Sequence, residues 1–345
     1  MAGLCAAARA RELGLEPRVL EKGDRPGGSM LLSSGVIWRH RSLEDFRREC
    51  PGGDPRLQRL IVDRLDDGLD WLGSFGVSPV SGETTNPRTA GRRFDPRELT
   101  RALVRRAGDV QLGQALVSDE RTRSEETVVL ATGGFPVRLA QLLGLALRSN
   151  QWSEGDGLEY ARARGGVTTA GMDEFYGRAM PAPPARWDED DYVELAQLYG
   201  RAAEVVDENG DPIPVDSDDW SENRLVQAIA RRGGRAWYVV GQEQLGYETP
   251  YGTVAQAIER VRLAGGTVED RGDGRTAVHV AAAVTHTIGG IAVDERARVV
   301  DAQGTPVEGL YAAGVDAGGI AAGGYASGLA AALVLGLVAA ESAAS

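Results

Sequence analysis

The stretch Gly309-Leu310-Tyr311-Ala312-Ala313-Gly314 and the glycine-rich run that follows it to Gly328 decide the fold of this chain. Asp316 is the only charged residue between Gly309 and Ala340. The pattern predicts a strand from Gly309 to Ala313, then a loop, and then a buried helix over Leu329–Ala340. Glycines ahead of a helix let backbone N–H groups approach a large polar or anionic ligand. Close packing of a buried strand, loop and helix would explain the same small residues.

Length, charge and cysteine content limit the classes of protein to consider. The chain has 345 residues, which exceeds the usual size of a single core and predicts two domains. A net charge of −12 argues against nucleic acid or an anionic membrane as partner. Cys5 and Cys50 form no CxxC motif, no secretory signal is recognisable, and the C-terminal apolar run is too short to span a bilayer. These features predict a cytoplasmic protein.

The N-terminal residues carry half of a dinucleotide-binding pattern. An alanine-rich helix follows Met1 and ends at Gly14, and Glu16–Lys22 predicts a short strand. In a dinucleotide fold, the third glycine of GxGxxG opens the helix, and an acid about 20 residues further on binds the ribose hydroxyls. Gly3 and Glu21 are 18 residues apart and fit these two roles. The first strand and the first two glycines are absent from the sequence as given.

Three further glycine motifs follow along the chain. They are Gly27-Gly28-Ser29-Met30-Leu31-Leu32-Ser33-Ser34-Gly35, the strand Val128–Ala131 with its Thr132-Gly133-Gly134 ending, and Gly155-Asp156-Gly157-Leu158. The last motif precedes a predicted helix over 159–164, for which Asp156 is a suitable N-cap. From Trp187 to about Gly274 the composition becomes acidic and richer in proline, which indicates a separate, more polar unit.

These separated motifs, in this order, resemble the flavoprotein family of fumarate reductase and succinate dehydrogenase, which includes the 3-ketosteroid dehydrogenases. The resemblance implies an α/β fold: a discontinuous, Rossmann-like FAD-binding domain over residues 1–186 and 276–345, with an inserted α+β capping domain over 187–275. The capping domain of this family closes over the flavin and excludes water from the substrate.

The resemblance also implies FAD as the cofactor. The respiratory members of the family tether FAD through a histidine in the second glycine loop, and Ser29 matches that position, so we expect FAD to be bound non-covalently. No His/Cys cluster with metal-ligand spacing is present in the sequence. The residues expected to contact FAD are Gly3, Glu21, Lys22, Gly27, Gly28, Ser29, Ser33, Ser34, Gly35, Val117, Ala131, Thr132, Gly133, Gly134, Asp156, Gly314, Asp316, Gly328 and Leu329.

Four residues are expected to contact the substrate. His286, in His-Thr-Ile-Gly-Gly, matches a histidine that binds a substrate carboxylate or carbonyl in the family, although a lone histidine on a strand is more often structural. Tyr325 stands where the dicarboxylate enzymes carry an arginine, and ketosteroid dehydrogenase-like members have tyrosine there. Arg178 matches another substrate-binding histidine, and Tyr176 lies beside it. Val315 replaces the family glutamate that contacts the ribityl chain, and Asp316 is the expected substitute.

The residues that replace two arginines of the dicarboxylate enzymes limit the choice of substrate class. A phenol is neutral at pH 7 and cannot pair with a carboxylate as a guanidinium does. The acid arginine of the fumarate reductases aligns with Leu245, which cannot carry a proton. With two arginines replaced, we expect an FAD-dependent oxidoreductase acting on a C–C bond next to a carbonyl or carboxyl, with a ketosteroid-like or enone substrate favoured over a dicarboxylate. The direction of the reaction and the identity of the electron partner stay open.

Two alternatives remain at this stage. A reductase of unsaturated carboxylic acids, as in fumarate reductase, would share most of the motifs. A non-catalytic or FAD-poor relative would explain the missing strand and glycines, because unpaired strands in a buried sheet lose backbone hydrogen bonds. A start codon upstream of Met1 would supply the missing strand and glycines, and it would remove the reason for this second alternative.

Overall fold

The computed structural model describes residues 1–84, 86–116, 127–215 and 220–345. The following paragraphs concern these residues. The α-helices are α1 (Ala2–Glu12), α2 (Leu43–Glu49), α3 (Pro55–Gly73), α4 (Pro96–Ala107), α5 (Pro136–Leu143), α6 (Asp156–Ala163), α7 (Asn223–Arg231), α8 (Val254–Leu263) and α9 (Gly328–Ala343).

The strands are short except for β13. They are β1 (Val19–Glu21), β2 (Val36–His40), β3 (Thr89–Arg93), β4 (Val110–Leu112), β5 (Val128–Leu130), β6 (Ala146–Leu147), β7 (Phe175–Pro181), β8 (Glu204–Val206), β9 (Arg235–Val240), β10 (Glu248–Thr249), β11 (Gly252–Thr253), β12 (Val268–Asp270), β13 (Thr276–Thr287), β14 (Arg298–Val300) and β15 (Pro306–Ala312).

The chain divides into two compact units. The first unit comprises Met1–Pro136, Asn150–Glu174 and His286–Ser345, and the second comprises Val137–Ser149 and Phe175–Thr285. The sequence placed 137–149, 175–186 and 276–285 in the discontinuous domain, whereas in the structure they lie in the second unit. The physical reason is strand pairing: β7 and most of β13 belong to the sheet of the second unit.

The first unit is built on parallel strands and a buried apolar helix. β1 pairs in parallel with β4, β5 pairs in parallel with β15, and β14 is antiparallel to β15. Helix α9 is apolar on every side, and ten of its residues lie at or below 7% exposure because it packs against α1 and α3. Its N-cap, Ser327, accepts a hydrogen bond from the backbone N–H of Ala330 at 3.3 Å.

The two parallel pairs of the first unit form separate ladders. Among the residues that the structure describes, no strand joins the β1–β4 ladder to the ladder of β5, β15 and β14. The predicted strand over Glu16–Lys22 is shorter than expected, and its acid, Glu21, is the last residue of β1. The first unit also contains an antiparallel pair, β2 and β3, in which Trp38 lies opposite Gly91.

The second unit is a mixed sheet with helices. Its strand order is β12-β13-β9-β8, with both β6 and β7 also paired to β13. Helix α7 packs against β7, and α8 packs against β12. Val278, Val280, Ala282 and Val284 of β13 are completely buried, which makes this strand the centre of the unit. Within the described ranges, no helix has both the length and the apolar character needed to cross a bilayer.

Candidate cofactor and substrate site

The N-terminus of α1 lies against the ends of two strands in the first unit. A Cβ atom at Gly3 would lie 3.3 Å from Cβ of Ala131, which follows β5. A Cβ atom at Gly314, which follows β15, would lie 3.0 Å from Cβ of Ala2. The first turn of α1 contains no acidic residue, so its positive dipole end is not offset by a side chain. This arrangement suits an anionic group at the helix N-terminus.

Asp316 fixes the glycine loop that follows β5. Its carboxylate is 1% exposed and accepts hydrogen bonds from the backbone N–H groups of Thr132, Gly133 and Gly134, the last two at 3.2 and 3.3 Å. The hydroxyl of Thr132 also donates to it at 2.9 Å. Burial raises the pKa of Asp316, and these hydrogen bonds oppose that rise. Both carboxylate oxygens are therefore engaged in holding the loop, and the predicted contact of Asp316 with the ribityl chain stays a prediction.

Two buried hydroxyls flank the same loop. A Cβ atom at Gly133 would lie 2.5 Å from Oγ of Ser153, and one at Gly134 would lie 2.6 Å from Oγ1 of Thr287. Both glycines have positive φ, 93° and 72°, so a side chain is excluded by conformation as well as by space. Neither hydroxyl has a hydrogen-bond partner among the described residues. Buried polar groups of this kind normally bind something, and a polar cofactor would satisfy them.

Charged side chains lie at the end of β1. Glu21 accepts a hydrogen bond from the backbone N–H of Gly23 at 2.8 Å. Lys22 forms ion pairs with Glu154 at 2.5 Å and with Asp156 at 2.9 Å. Burial lowers the pKa of Lys22, but the hydrogen bonds to the two carboxylates outweigh it and raise the pKa overall. Asp156 is the first residue of α6 and binds Lys22, so the predicted N-cap role is wrong: Gly155 occupies that position.

The second glycine loop forms a 3₁₀ turn over Gly28–Leu32, with Gly27 preceding it. Ser33 ends this turn, and its hydroxyl donates to the carbonyl of Met30 at 2.7 Å and accepts from the N–H of Gly35 at 3.1 Å. The carbonyl of Ser34 accepts from Nε of Arg93 at 3.1 Å. Ser29 is half-buried within the turn. Val117 lies outside the described residues.

Tyr325 and His286 lie near the same helix end. Tyr325 precedes Gly328, the first residue of α9, by three positions, and Leu329 follows in the first turn. A Cβ atom at Gly328 would lie 3.3 Å from Cε1 of His286. Both Tyr325 and His286 are half-buried. Tyr176 and Arg178 belong to the second unit, where they lie two residues apart on β7 and the guanidinium carbon of Arg178 is 5.0 Å from the ring centroid of Tyr176.

Two neighbours of Tyr325 had no sequence motif to mark them. The ring of Trp38 meets that of Tyr325 edge-on at 5.3 Å between centroids. Nε2 of His40 lies 3.4 Å from the backbone carbonyl oxygen of Tyr325, and its ring lies 4.9 Å from that of Phe46. Both side chains come from β2, whose alternation indicates only a strand. Their role in holding the tyrosine becomes apparent only from the tertiary contacts.

The burial of His40 predicts a pH-dependent stability. Burial lowers the pKa of His40 below 6.5, and the bond to Tyr325 only partly offsets this. The unfolded chain therefore binds the proton more readily, and stability is complete above about pH 6.5 and falls as the pH drops through the lowered pKa. The loss is at most about 1.4 kcal/mol per pH unit. Denaturant unfolding between pH 8 and 5 measures it, and His40→Phe should show a shallower slope; parallel slopes would contradict the assignment.

A glycine loop after one parallel strand, a helix N-terminus beside it and an acid at the end of a parallel strand in a second ladder of the same unit define a dinucleotide-binding α/β protein. The family model described as "FAD binding domain" matches residues 84–329, which is most of the sequence. The chain belongs to the FAD-binding domain family, and the cofactor of this family is FAD. Ser153, Thr287, the Gly133-Gly134 loop and the N-terminus of α1 fit such a cofactor.

Relatives in sequence are fumarate reductases. The chain is 23% identical over 404 residues to the NADH:fumarate oxidoreductase of Klebsiella pneumoniae (strain 342), covering 90% of this chain and 43% of that protein. It is 23% identical over 405 residues to the probable fumarate reductase Ifc3 of Shewanella frigidimarina (strain NCIMB 400), covering 90% and 67%. The chain thus spans less than half of the length of the first of these curated relatives.

Solved structures share the fold. The open conformation of a flavocytochrome c3 fumarate reductase has a TM-score of 0.73 at 22% identity, covering 99% of this chain and 76% of that one. The 3-ketosteroid-Δ4-(5α)-dehydrogenase of Rhodococcus jostii RHA1 has a TM-score of 0.72 at 20% identity, covering 100% and 95%. The predicted α/β fold class and the predicted family are confirmed.

Proposed function

We propose that this protein is an FAD-dependent oxidoreductase that introduces or reduces a C–C double bond next to a carbonyl group. Bound FAD supplies the hydride acceptor or donor for this reaction. The observation that carries the proposal is the cradle around Gly133 and Gly134: a loop held by a buried carboxylate, with the unpartnered hydroxyls of Ser153 and Thr287 on either side among the described residues. We propose that FAD is bound non-covalently, because Ser29 stands at the position of the tethering histidine and has no imidazole nitrogen to form that bond.

Tyr325 and His286 are the proposed carbonyl-binding groups. The hydroxyl of Tyr325 would donate a hydrogen bond to the substrate carbonyl oxygen and stabilise the negative charge that develops there. His286 would provide a second donor. His40 and Trp38 position Tyr325 by holding its backbone carbonyl and its ring. Tyr176 and Arg178 of the second unit are proposed as further substrate contacts.

An enone or ketone is the proposed substrate in preference to a dicarboxylate. Tyr325 is neutral at pH 7, and Leu245, in the 3₁₀ turn Gln242–Gly246, has no group that can donate a proton or pair with a carboxylate. Both positions carry arginine in the dicarboxylate enzymes that the sequence resembles. The proposed partners are therefore a small-molecule substrate and a separate electron donor or acceptor.

Visible absorbance tests cofactor binding before any assay. The purified protein, with excess FAD added and then removed, should show flavin bands that bleach with dithionite. A protein that stays colourless under these conditions would overturn the proposal and favour a relative that does not bind FAD.

The role of Tyr325 is tested by Tyr325→Phe in flavin-loaded protein. With an α,β-unsaturated ketone as substrate and reduced methyl viologen as electron donor, kcat and kcat/KM should both fall about 100-fold, because one donor to the developing oxyanion is removed. The flavin content should be unchanged. Tyr247→Phe is the matched control, since Tyr247 is 43% exposed and should leave both constants as in the wild type. Unchanged turnover in Tyr325→Phe would refute this role.

A further inference from the structure

Glu174 bonds to both of the chain segments that carry the proposed carbonyl-binding residues. Its carboxylate oxygen Oε2 accepts a hydrogen bond from the backbone N–H of Gly323 at 2.7 Å, and Gly323 precedes Tyr325 by two residues. Its backbone carbonyl accepts from the N–H of Ile288 at 3.0 Å, and Ile288 follows His286 by two residues. All five residues belong to the first unit. One residue thus joins the two segments.

The backbone around Glu174 is fixed by its own hydrogen bonds. The N–H of Glu174 donates to the carbonyl of Gly171 at 3.0 Å, and the same carbonyl accepts from the N–H of Gly289 at 3.0 Å. Gly171 has a φ of 75°, which a glycine adopts without strain, and a Cβ atom there would lie 3.3 Å from Oε1 of Glu174. The carboxylate therefore extends from a backbone that is tied to the residues after His286.

The loop that precedes Tyr325 is also held by the chain between α2 and α3. Its carbonyls at Gly319 and Ala322 accept hydrogen bonds from backbone N–H groups of that segment at 2.8 and 3.1 Å. The carboxylate of Glu174 binds an N–H group one residue further on, at Gly323. The φ of Gly323 is 80°, so the chain turns at this residue. Glu174 therefore holds the loop at a turn close to Tyr325.

We propose that Glu174 is a positioning residue for carbonyl binding, acting through the loop that carries Tyr325. The inference rests on the proposed function and adds to it: the carboxylate sets where the phenol hydroxyl stands relative to the imidazole of His286. Two donors stabilise a developing oxyanion together only if both are aimed at the same oxygen atom, and a misplacement of about 1 Å can cost about 100-fold in rate. A carboxylate suits this task because it only accepts hydrogen bonds, and its bonds to N–H groups are charge-assisted.

Hydrogen–deuterium exchange of flavin-loaded protein tests the contact without turnover. The loop over 318–327 should exchange about 10-fold faster in Glu174→Ala, because the N–H of Gly323 loses a charged acceptor. Glu174→Gln should stay within about 3-fold of the wild type, since the amide oxygen can still accept. Asp173→Ala is the matched control: it removes the neighbouring exposed carboxylate and should leave exchange of the loop as in the wild type. Unchanged exchange in Glu174→Ala would overturn the positioning role.

Kinetics with an α,β-unsaturated ketone and reduced methyl viologen test whether the contact acts through Tyr325. Glu174→Ala should lower kcat about 10- to 100-fold at unchanged flavin content, and Glu174→Gln should recover most of this loss. In a Tyr325→Phe background, the same Glu174→Ala change should lower kcat by no more than about a further 2-fold, because no hydroxyl is left to position. A merely structural role would lower kcat by the same factor in both backgrounds.

Thermal melting shows whether each variant is folded. Should Glu174→Ala melt well below the wild type, Glu174→Asp takes its place in both measurements. Glu174→Asp keeps the charge but shortens the side chain by one methylene group, so it should reproduce the faster exchange and the lower kcat.

The two measurements separate this inference from the proposed function. Faster exchange of the loop with unchanged kcat would overturn the positioning role while leaving an enone oxidoreductase intact. An equal loss of kcat with and without the hydroxyl of Tyr325 would overturn it as well. If flavin-loaded wild-type protein turns over no enone, the proposed function fails and the positioning role of Glu174 fails with it, whatever the exchange of the loop shows.

Discussion

Replacing Asp316 with alanine is expected to lower the free energy of unfolding by about 3–5 kcal/mol, because three backbone N–H groups lose a buried carboxylate as their acceptor. Those donors belong to Thr132, Gly133 and Gly134. Natural proteins have total stabilities of only about 5–15 kcal/mol, so much of the margin would be lost. Because the loop would no longer be held, FAD retention should fall as well. Denaturant unfolding and the flavin absorbance of the purified protein measure the two effects.

The matched control for Asp316→Ala is Asp66→Ala. The side chain of Asp66 is 61% exposed and pairs with Arg39 at 2.6 Å. Exposed ion pairs contribute roughly 0–1 kcal/mol, so this variant should unfold close to the wild type. Asp316→Asn should lie between the two, since the amide keeps one acceptor oxygen but turns a donor towards the loop. Wild-type stability in Asp316→Ala would show that the hydrogen bonds do not hold the loop as we argue.

Gly324→Ala is expected to have a comparably large effect. A Cβ atom at this position would lie 1.8 Å from the carbonyl oxygen and 2.7 Å from the carbonyl carbon of Glu49, both backbone atoms at the end of α2. Neither can move without displacing the helix, so the cost should be about 3 kcal/mol or more. Because Tyr325 is the next residue, turnover of an enone should fall more than stability alone explains.

Gly73→Ala provides the control for a glycine substitution as such. Gly73 is the last residue of α3, and nothing lies within 4 Å of its added Cβ. Alanine is favoured over glycine in a helix by up to about 1 kcal/mol, so this variant should be as stable as the wild type or slightly more so. If Gly324→Ala unfolds like Gly73→Ala, the loop before α9 is not packed on α2 as the structure has it.

Local patterns predicted much of the first unit. The run of small residues after Gly309 predicted a strand, a loop and a buried helix, and the structure has β15 and α9 there, with α9 extending to Ala343. Helix α1 and the acid at the end of β1 were also predicted from short-range signals. Such elements are determined by neighbours in the chain, because hydrophobic period and glycine placement act within a few residues.

The domain boundary depended on pairing that no local signal reveals. Composition marked residues 187–275 as different, but strands on either side of that range belong to the same sheet. β7 and β13 belong to the sheet of the second unit. Their own sequences are apolar and do not share the acidic composition of the range between them. A strand does not specify its partner by composition, so the boundary falls at Glu174 and His286 rather than at the compositional change.

The sequence by itself determined the class of fold, the family and the cofactor, because these depend on glycine motifs whose order and spacing are written in the chain. It also supplied Tyr325 and His286 as candidates. Only the tertiary structure showed that Asp316 holds the loop after β5 and that His40 holds the carbonyl of Tyr325. These contacts join residues 182 to 285 positions apart, and their energetics depend on burial, which a sequence does not state.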